Sequence, residues 1–198
     1  MSELVVMPKA DWQAALDALR AKKEVTDTFK SGDLATAIES IESGSGDWEK
    51  YFEERQTDVS LPNATKIKHY AFYYDSTLVN LFMPNVTSIG DYAFRYCSKL
   101  EITELPSGLV SIGQYAFGGC YKVLPTIIPA SVKTISANAF SMCNLTELTF
   151  KGTPTSIASN AFSVCSLLKT INVPWASGAV ANAPWGATSA TINYNVSV

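Results

Sequence analysis

The chain has 198 residues, of which 47% are apolar and 17% charged, and a net charge of −3 goes with a pI near 5.2. That composition supports a packed core and excludes disorder over most of the length. The acidic balance argues against nucleic acid as a partner, since phosphate binding needs a basic surface, and no segment approaches the roughly 20 apolar residues of a membrane-crossing helix, so no membrane insertion is expected.

Met1 to Met7 hold an acid at Glu3 and only a brief apolar run, Leu4-Val5-Val6. That is too short for a secretory signal and lacks a basic leading segment. As written, the chain carries no address: the expectation is the cell surface if a leader has been removed, and otherwise a virion-associated or cytoplasmic protein. Pro8 suits a first helical turn, and Trp12, Ala15, Leu16 and Leu19 follow at helical spacing, which predicts a helix from about Pro8 to Lys22. Arg20, Lys22 and Lys23 then complement the dipole at its C-terminal end. Ser31 offers an N-cap for a second helix through Leu34, Ile38 and Ile41, and Asp47 for a third over Trp48 to Arg55. Between these two, Ser43-Gly44-Ser45-Gly46 reads as a flexible linker or a tight connection. Residues 1–57 are therefore a helical N-terminal cap or module, with two roles open. One is shielding the first unit of a repeat array, as such arrays require for solubility. The other is docking, including homo-oligomerisation through these helices, because the glycine-serine run lets residues 1–42 move independently.

From about Asp58 the chain repeats itself. Ala71-Phe72, Ala93-Phe94, Ala116-Phe117, Ala139-Phe140 and Ala161-Phe162 recur at steps of 22, 23, 23 and 22 residues. An isoleucine stands four residues before each alanine, at Ile67, Ile89, Ile112, Ile135 and Ile157. A period in the twenties marks a solenoid, whose short units bury their apolar faces only by stacking. Leu78–Pro84, Leu100–Pro106, Val123–Pro129, Leu145–Lys151 and Leu168–Pro174 read as the strand-bearing part of each unit, after an earlier one that ends at Leu61-Pro62. Proline closes the hydrogen-bonded ladder because it has no amide proton to donate; Lys151 is the one departure.

The stretches Ser88-Ile89-Gly90-Asp91-Tyr92-Ala93-Phe94-Arg95-Tyr96-Cys97 and Ser111-Ile112-Gly113-Gln114-Tyr115-Ala116-Phe117-Gly118-Gly119-Cys120 resemble the bacterial leucine-rich repeats called BspA-like. The resemblance covers residues 58 to about 174. It implies an α+β solenoid, a right-handed superhelix with one short parallel strand per 22–23-residue coil, found in surface and adhesion proteins that bind other molecules without catalysis. Residues 175–198 break the period. Ser177 to Ala183 reads as a helical turn and Ala190 to Val196 as a closing strand, so this part is expected to be a C-terminal cap, with Trp175 and Trp185 over the last coil. Further back, the helix-turn-helix at residues 8–41, with Lys30-Ser31-Gly32-Asp33-Leu34-Ala35, resembles short modules on phage tail-associated proteins of gut bacteria.

Four cysteines, Cys97, Cys120, Cys143 and Cys165, are spaced by 23, 23 and 22 residues, which is the repeat period. Zinc sites instead pair ligands two to four residues apart. Stacked coils bring equivalent Cα atoms within disulfide range, but with parallel rather than convergent Cβ vectors, so the expectation is a file of buried free thiols, with Asp75 in that place in the first repeat. His69 aligns with Asp91, Gln114, Ala137 and Ser159, a variable place that reads as exposed surface. Gly118-Gly119 lacks the surroundings of a phosphate loop. Asn63, Asn85, Asn144 and Asn195 open glycosylation-type triplets that read as turn chemistry. No catalytic, cofactor-binding or metal-binding residue is expected.

Strand side chains alternate between faces, so one outward file is expected at Asp58, Asn80, Ile102, Pro125, Glu147 and Thr170, and a second at Ser60, Phe82, Glu104, Ile127, Thr149 and Asn172. Phe82, Ile102 and Ile127 would then form an exposed apolar group bordered by Asn80 and Glu104, the candidate interaction surface. A second aromatic group, Tyr73, Tyr74, Tyr96 and Tyr121, lies near the Ala-Phe turns, while Tyr70, Tyr92 and Tyr115 read as a ladder between coils. The resulting expectation is a noncatalytic binding protein whose rigid surface recognises a protein or glycan, as in adhesion or receptor recognition. The alternative is a structural subunit of a larger assembly, such as a phage tail appendage, docked through residues 1–42.

Overall fold

A computed structural model describes residues 57–197. The helices expected before Thr57, the cap or docking role given to them and the phage-tail resemblance all lie outside the described residues. Within the described residues there are eleven short strands and no helix.

Each regular coil carries two strands rather than the single one expected. The isoleucines lie on the unexpected strand. β2 (Lys66–Ile67), β4 (Ser88–Ile89), β5 (Ser111–Ile112), β7 (Thr134–Ile135) and β9 (Ser156–Ile157) pair in parallel in that order, isoleucine opposite isoleucine. β-Branched residues suit this pleated, half-buried setting. The other face holds the expected segments: β1 (Asp58–Ser60) pairs with β3 (Asn80–Phe82), and β6 (Ile127–Ile128), β8 (Glu147–Phe150), β10 (Thr170–Asn172) and β11 (Thr191–Asn193) form a second parallel series. Between β3 and β6 the third coil contributes only single bridges, Asn80 with Glu101 and Ile102 with Val123.

The core lies between these two faces and the Ala-Phe turns. Phe72, Phe94, Phe117, Phe140 and Phe162 stack as one spine, with successive ring centroids 5.3–5.5 Å apart and planes within 18° of parallel. Leu78, Leu100, Val123, Leu145 and Leu168, one per coil, are buried beside it. Full burial of such a side chain stabilises by about 1.5–3 kcal/mol, and here each is completed by its counterpart in the next coil. Backbone amides of the turns bond the same way, Phe72 N–H to Ala93 O, Phe94 to Ala116 O, Phe117 to Ala139 O and Phe140 to Ala161 O.

Residues 175–197 extend this stack. β11 forms inside the expected closing stretch and runs parallel to β10. Ser177 to Ala183 makes turns, with Gly178 at a φ of 85°, and no helical turn. Phe162 N–H donates to Trp185 O at 2.9 Å, so Trp185 holds the backbone place of the alanine in a further coil, and Val180 and Ala187 are buried on either side of it in the sequence. Trp175 and Trp185 pack on Phe150, centroids 5.3 and 6.2 Å away, and on each other.

Candidate recognition edge

The turns around the first four Ala-Phe pairs are tight enough to force two residues into the left-handed region, and the fifth forces one. The first is the residue before the alanine: Tyr70, Tyr92, Tyr115 and Asn138, with φ between 51° and 63°. The second lies two residues after the phenylalanine: Tyr74, Tyr96, Gly119, Met142 and Val164, with φ between 59° and 75°. For residues other than glycine this conformation costs roughly 1–2 kcal/mol. The coils hold it by hydrogen bonds to the next turn, Tyr70 N–H to Asp91 O, Tyr74 to Arg95 O, Tyr92 to Gln114 O and Tyr96 to Gly118 O.

The result is an edge of stacked tyrosines. Tyr70 lies over Tyr92 at 4.9 Å and 1°, and Tyr92 over Tyr115 at 5.3 Å and 20°. Tyr74 lies over Tyr96 at 4.6 Å, and Tyr73 stands edge-on to Tyr70 and Tyr74. Burial, then the neighbouring Tyr74, pushes the Tyr73 phenol up from its ordinary value. The Arg95 guanidinium sits 4.4 Å from the Tyr115 ring centre, 4.7 Å from Tyr96 and 5.4 Å from Tyr92, and donates from Nη2 to the Tyr96 hydroxyl at 3.1 Å. Contacts of this kind stabilise by about 0.5–1 kcal/mol each at partly exposed sites. Gly118 and Gly119 seat the rings: a Cβ on Gly119 would lie 2.5 Å from Tyr96 Cδ1, and one on Gly118 3.0 Å from Tyr115 Cδ1. Tyr74 is 57% exposed, and Met142 and the 67% exposed Val164 continue its column. Of this edge the sequence pattern indicated the tyrosines but not Arg95, Met142 or Val164.

The sheet face departs from expectation at two residues, Ile102 and Pro125. Phe82 and Ile127 are exposed, at 58% and 46%, and Asn80 and Glu104 are exposed beside them, but Ile102 is buried at 4%. The cause is a one-residue slip in the third coil. There the second core residue follows Leu100 by two places, whereas Leu81, Leu148 and Ile171 follow their leucines by three. Asn80 consequently faces Glu101, not Ile102, and such a slip turns side chains to the opposite face. Pro125, expected outward two places after Val123, is buried for the same reason. The apolar group is thereby divided: Ile102 is core, and Phe82 and Ile127 stand on the second and fourth coils. Glu101 takes the outward place instead and pairs with Lys122 at 2.6 Å. The Asn80 amide donates to Asp58, and Asn193 to Asn172 to Glu147 forms a polar ladder further along.

Comparison with known proteins places these coils in a family. The model for the BspA type leucine rich repeat region matches residues 50–178 in 6 copies. The chain belongs to the BspA-type leucine-rich repeat family. It is similar to a leucine-rich cell-surface protein from Faecalibacterium prausnitzii A2-165, with 33% identity and a TM-score of 0.52 over 56% of this chain and 29% of that one. It is also similar to a leucine-rich repeat protein from T. pallidum, at 25% identity and a TM-score of 0.53, over 72% of this chain and 71% of the other. A leucine-rich repeat protein from Bacteroides ovatus ATCC 8483 matches at 28% identity and a TM-score of 0.45, over 55% of this chain and 35% of its own. The chain thus spans about a third of the length of the F. prausnitzii and B. ovatus proteins. No curated protein matches it.

In this BspA-type stack the four cysteines are free and buried, as their spacing indicated. Each thiol donates back to the phenylalanine carbonyl of the preceding coil: Cys97 to Phe72 O, Cys120 to Phe94 O, Cys143 to Phe117 O and Cys165 to Phe140 O, at 2.8–3.2 Å. Burial pushes the Cys97 and Cys143 thiols well up and that of Cys165 to about 11, so they are poor nucleophiles at neutral pH. In the first repeat Asp75 instead accepts from Thr77 and from Leu78 N–H. His69 is exposed and its Nδ1 accepts from Asp91 N–H at 2.9 Å, while Asp91 Oδ1 accepts from Gln114 N–H at 2.6 Å. The Asn85 amide donates to Pro62 O, in keeping with a turn role. Among the described residues no three His, Cys, Asp or Glu side chains are grouped to hold a metal ion.

Proposed function

We propose that this chain is a noncatalytic recognition module whose tyrosine-lined turn edge holds a protein or glycan ligand, in the manner of adhesion or receptor recognition. The observation that carries this reading is an exposed aromatic edge built on stacked coils, with its bulky side chains held in left-handed backbone that a turn alone would fill with glycine. Because the coils hold the rings before any ligand arrives, little side-chain entropy is lost on association. The description of the F. prausnitzii relative as a cell-surface protein agrees with such a role. Asn80, Phe82, Glu104 and Ile127 are flanking contacts in this reading, since burial of Ile102 leaves no continuous apolar strip on the sheet face.

The test uses biolayer interferometry of the full chain against a panel of extracellular proteins and immobilised glycans. Replacing Tyr74 and Tyr96 together by serine is expected to weaken whatever binding the wild type shows by about tenfold or more, while Phe82→Asp changes it less than about twofold. Loss of binding in Phe82→Asp with none in the double tyrosine variant would move the site to the sheet face and refute the edge.

A further inference from the structure

We infer that Arg95 and the tyrosines around it form a subsite for a carboxylate-bearing saccharide; this rests on the recognition reading above and names its ligand class. Arg95 projects from the second turn onto the rings of Tyr92, Tyr96 and Tyr115, and its guanidinium donates to a phenol, Tyr96 OH. Among the described residues no carboxylate lies within ion-pair distance of it. A guanidinium has five N–H donors in a rigid plane. Three rings lie within 5.4 Å of its carbon and one donor is used on Tyr96, so the partly exposed guanidinium keeps donors suited to a planar carboxylate. In a protein with a net charge of −3, this is a local cation whose charge the site itself leaves unanswered.

Neighbouring groups decide what carries that carboxylate. A peptide laid along the edge would seek backbone partners, but the turn amides of Tyr70, Phe72, Tyr74, Tyr92, Phe94 and Tyr96 are all bonded to carbonyls of the next coil. What the edge presents instead is phenol hydroxyls, ring faces and the guanidinium. Tyr74, tilted by 41° against Tyr96 at 4.6 Å and more than half exposed, places an aromatic surface one coil from Arg95. Aromatic surface with a polar tip suits the C–H face and hydroxyls of a sugar ring, and adjacent coils repeat it at about 4.7–4.9 Å.

The full chain is titrated by calorimetry with four probes: an oligogalacturonate, a sulfated dextran oligomer, uncharged maltohexaose and oligoglutamate. Oligogalacturonate is expected to bind most tightly, with Arg95→Gln weakening it about tenfold or more and Arg95→Lys by an intermediate factor, since lysine keeps charge without the fork. Tyr74→Ser is expected to weaken every saccharide probe that binds. A single cooperative thermal transition well above the titration temperature in each variant certifies the fold. Tighter binding of oligoglutamate than of oligogalacturonate would replace the saccharide by an acidic peptide, and tighter binding of sulfated dextran would overturn the carboxylate assignment. No saccharide binding at all, with edge variants still impairing a protein ligand from the panel, would sink this inference alone; loss of both would sink the edge as well.

Discussion

Cys165 makes the stability of the stack depend on pH in a way that a single substitution isolates. Its thiol is buried, donates to Phe140 O at 2.9 Å, and is pushed up from an ordinary 9.0 to about 11. The unfolded chain therefore loses this proton at lower pH than the folded chain does. The stabilisation is complete below pH 9 and is lost as pH rises toward and through 11, where the unfolded state binds fewer protons. At pH 10 the loss from this thiol is about 1.4 kcal/mol, and at pH 8 it is under about 0.1 kcal/mol. With a urea slope of about 2 kcal/mol/M, the midpoint falls by about 0.7 M from this residue. Cys97 and Cys143 add to the wild-type slope because burial raises them also, so the quantity to read is the difference from Cys165→Ala. Equilibrium urea unfolding of both proteins under reductant, at pH 7, 8, 9 and 10, supplies it. The variant starts lower at pH 7, having lost a buried side chain, and the gap closes by about 1.4 kcal/mol by pH 10. Parallel midpoint curves across the range would refute burial of the thiol as the cause.

Two further substitutions probe the spine and the strained column. Phe117→Ala removes a fully buried ring stacked on both Phe94 and Phe140, and is expected to cost about 3–5 kcal/mol in urea unfolding; a cost below about 1 kcal/mol would show that the coils do not rely on the spine. Val164→Asn replaces an exposed β-branched residue at a φ of 59° by one that tolerates left-handed backbone, and is expected to raise stability by about 1 kcal/mol. A lower thermal midpoint in that variant would mean that the valine side chain stabilises the coil by contacts its exposure does not show.

How far the fold was legible depends on what repetition can carry. The period, the phenylalanine spine and the thiol file were all readable, because stacking places equivalent residues in one environment and five copies of Ala-Phe announce it. Two strands per coil were not, since Ser-Ile and Thr-Ile dipeptides are too short to show any alternation. The slip in the third coil left a visible trace: Thr103 stands where Leu81 stands one coil earlier, a polar residue at a core place, with Ile102 beside it to take over. The further coil at the C-terminal end was hidden because Trp185 replaces the Ala-Phe signature while keeping its hydrogen bond. For the edge, tyrosine is no turn residue by composition, so nothing but Gly119 hinted that its column is left-handed.

That column ties stability to recognition. Gly119 satisfies the backbone without strain, and its N–H bonds to Ser141 O as Tyr96 bonds to Gly118 O and Met142 to Ser163 O. The turn therefore needs only the conformation and the amide, not a side chain. Tyr74, Tyr96, Met142 and Val164 add bulk there at a cost of roughly 1–2 kcal/mol each, and three of the four are exposed and recover little by burial. Tyr96 is the exception that explains the rest: Gly119 gives way beneath it, and Arg95 is drawn onto its ring and hydroxyl. A glycine in one coil thus makes room for an aromatic–cation pair in the coil before it. The strain is concentrated on the same edge as Arg95 and the stacked rings, which is where contact with another molecule can offset it.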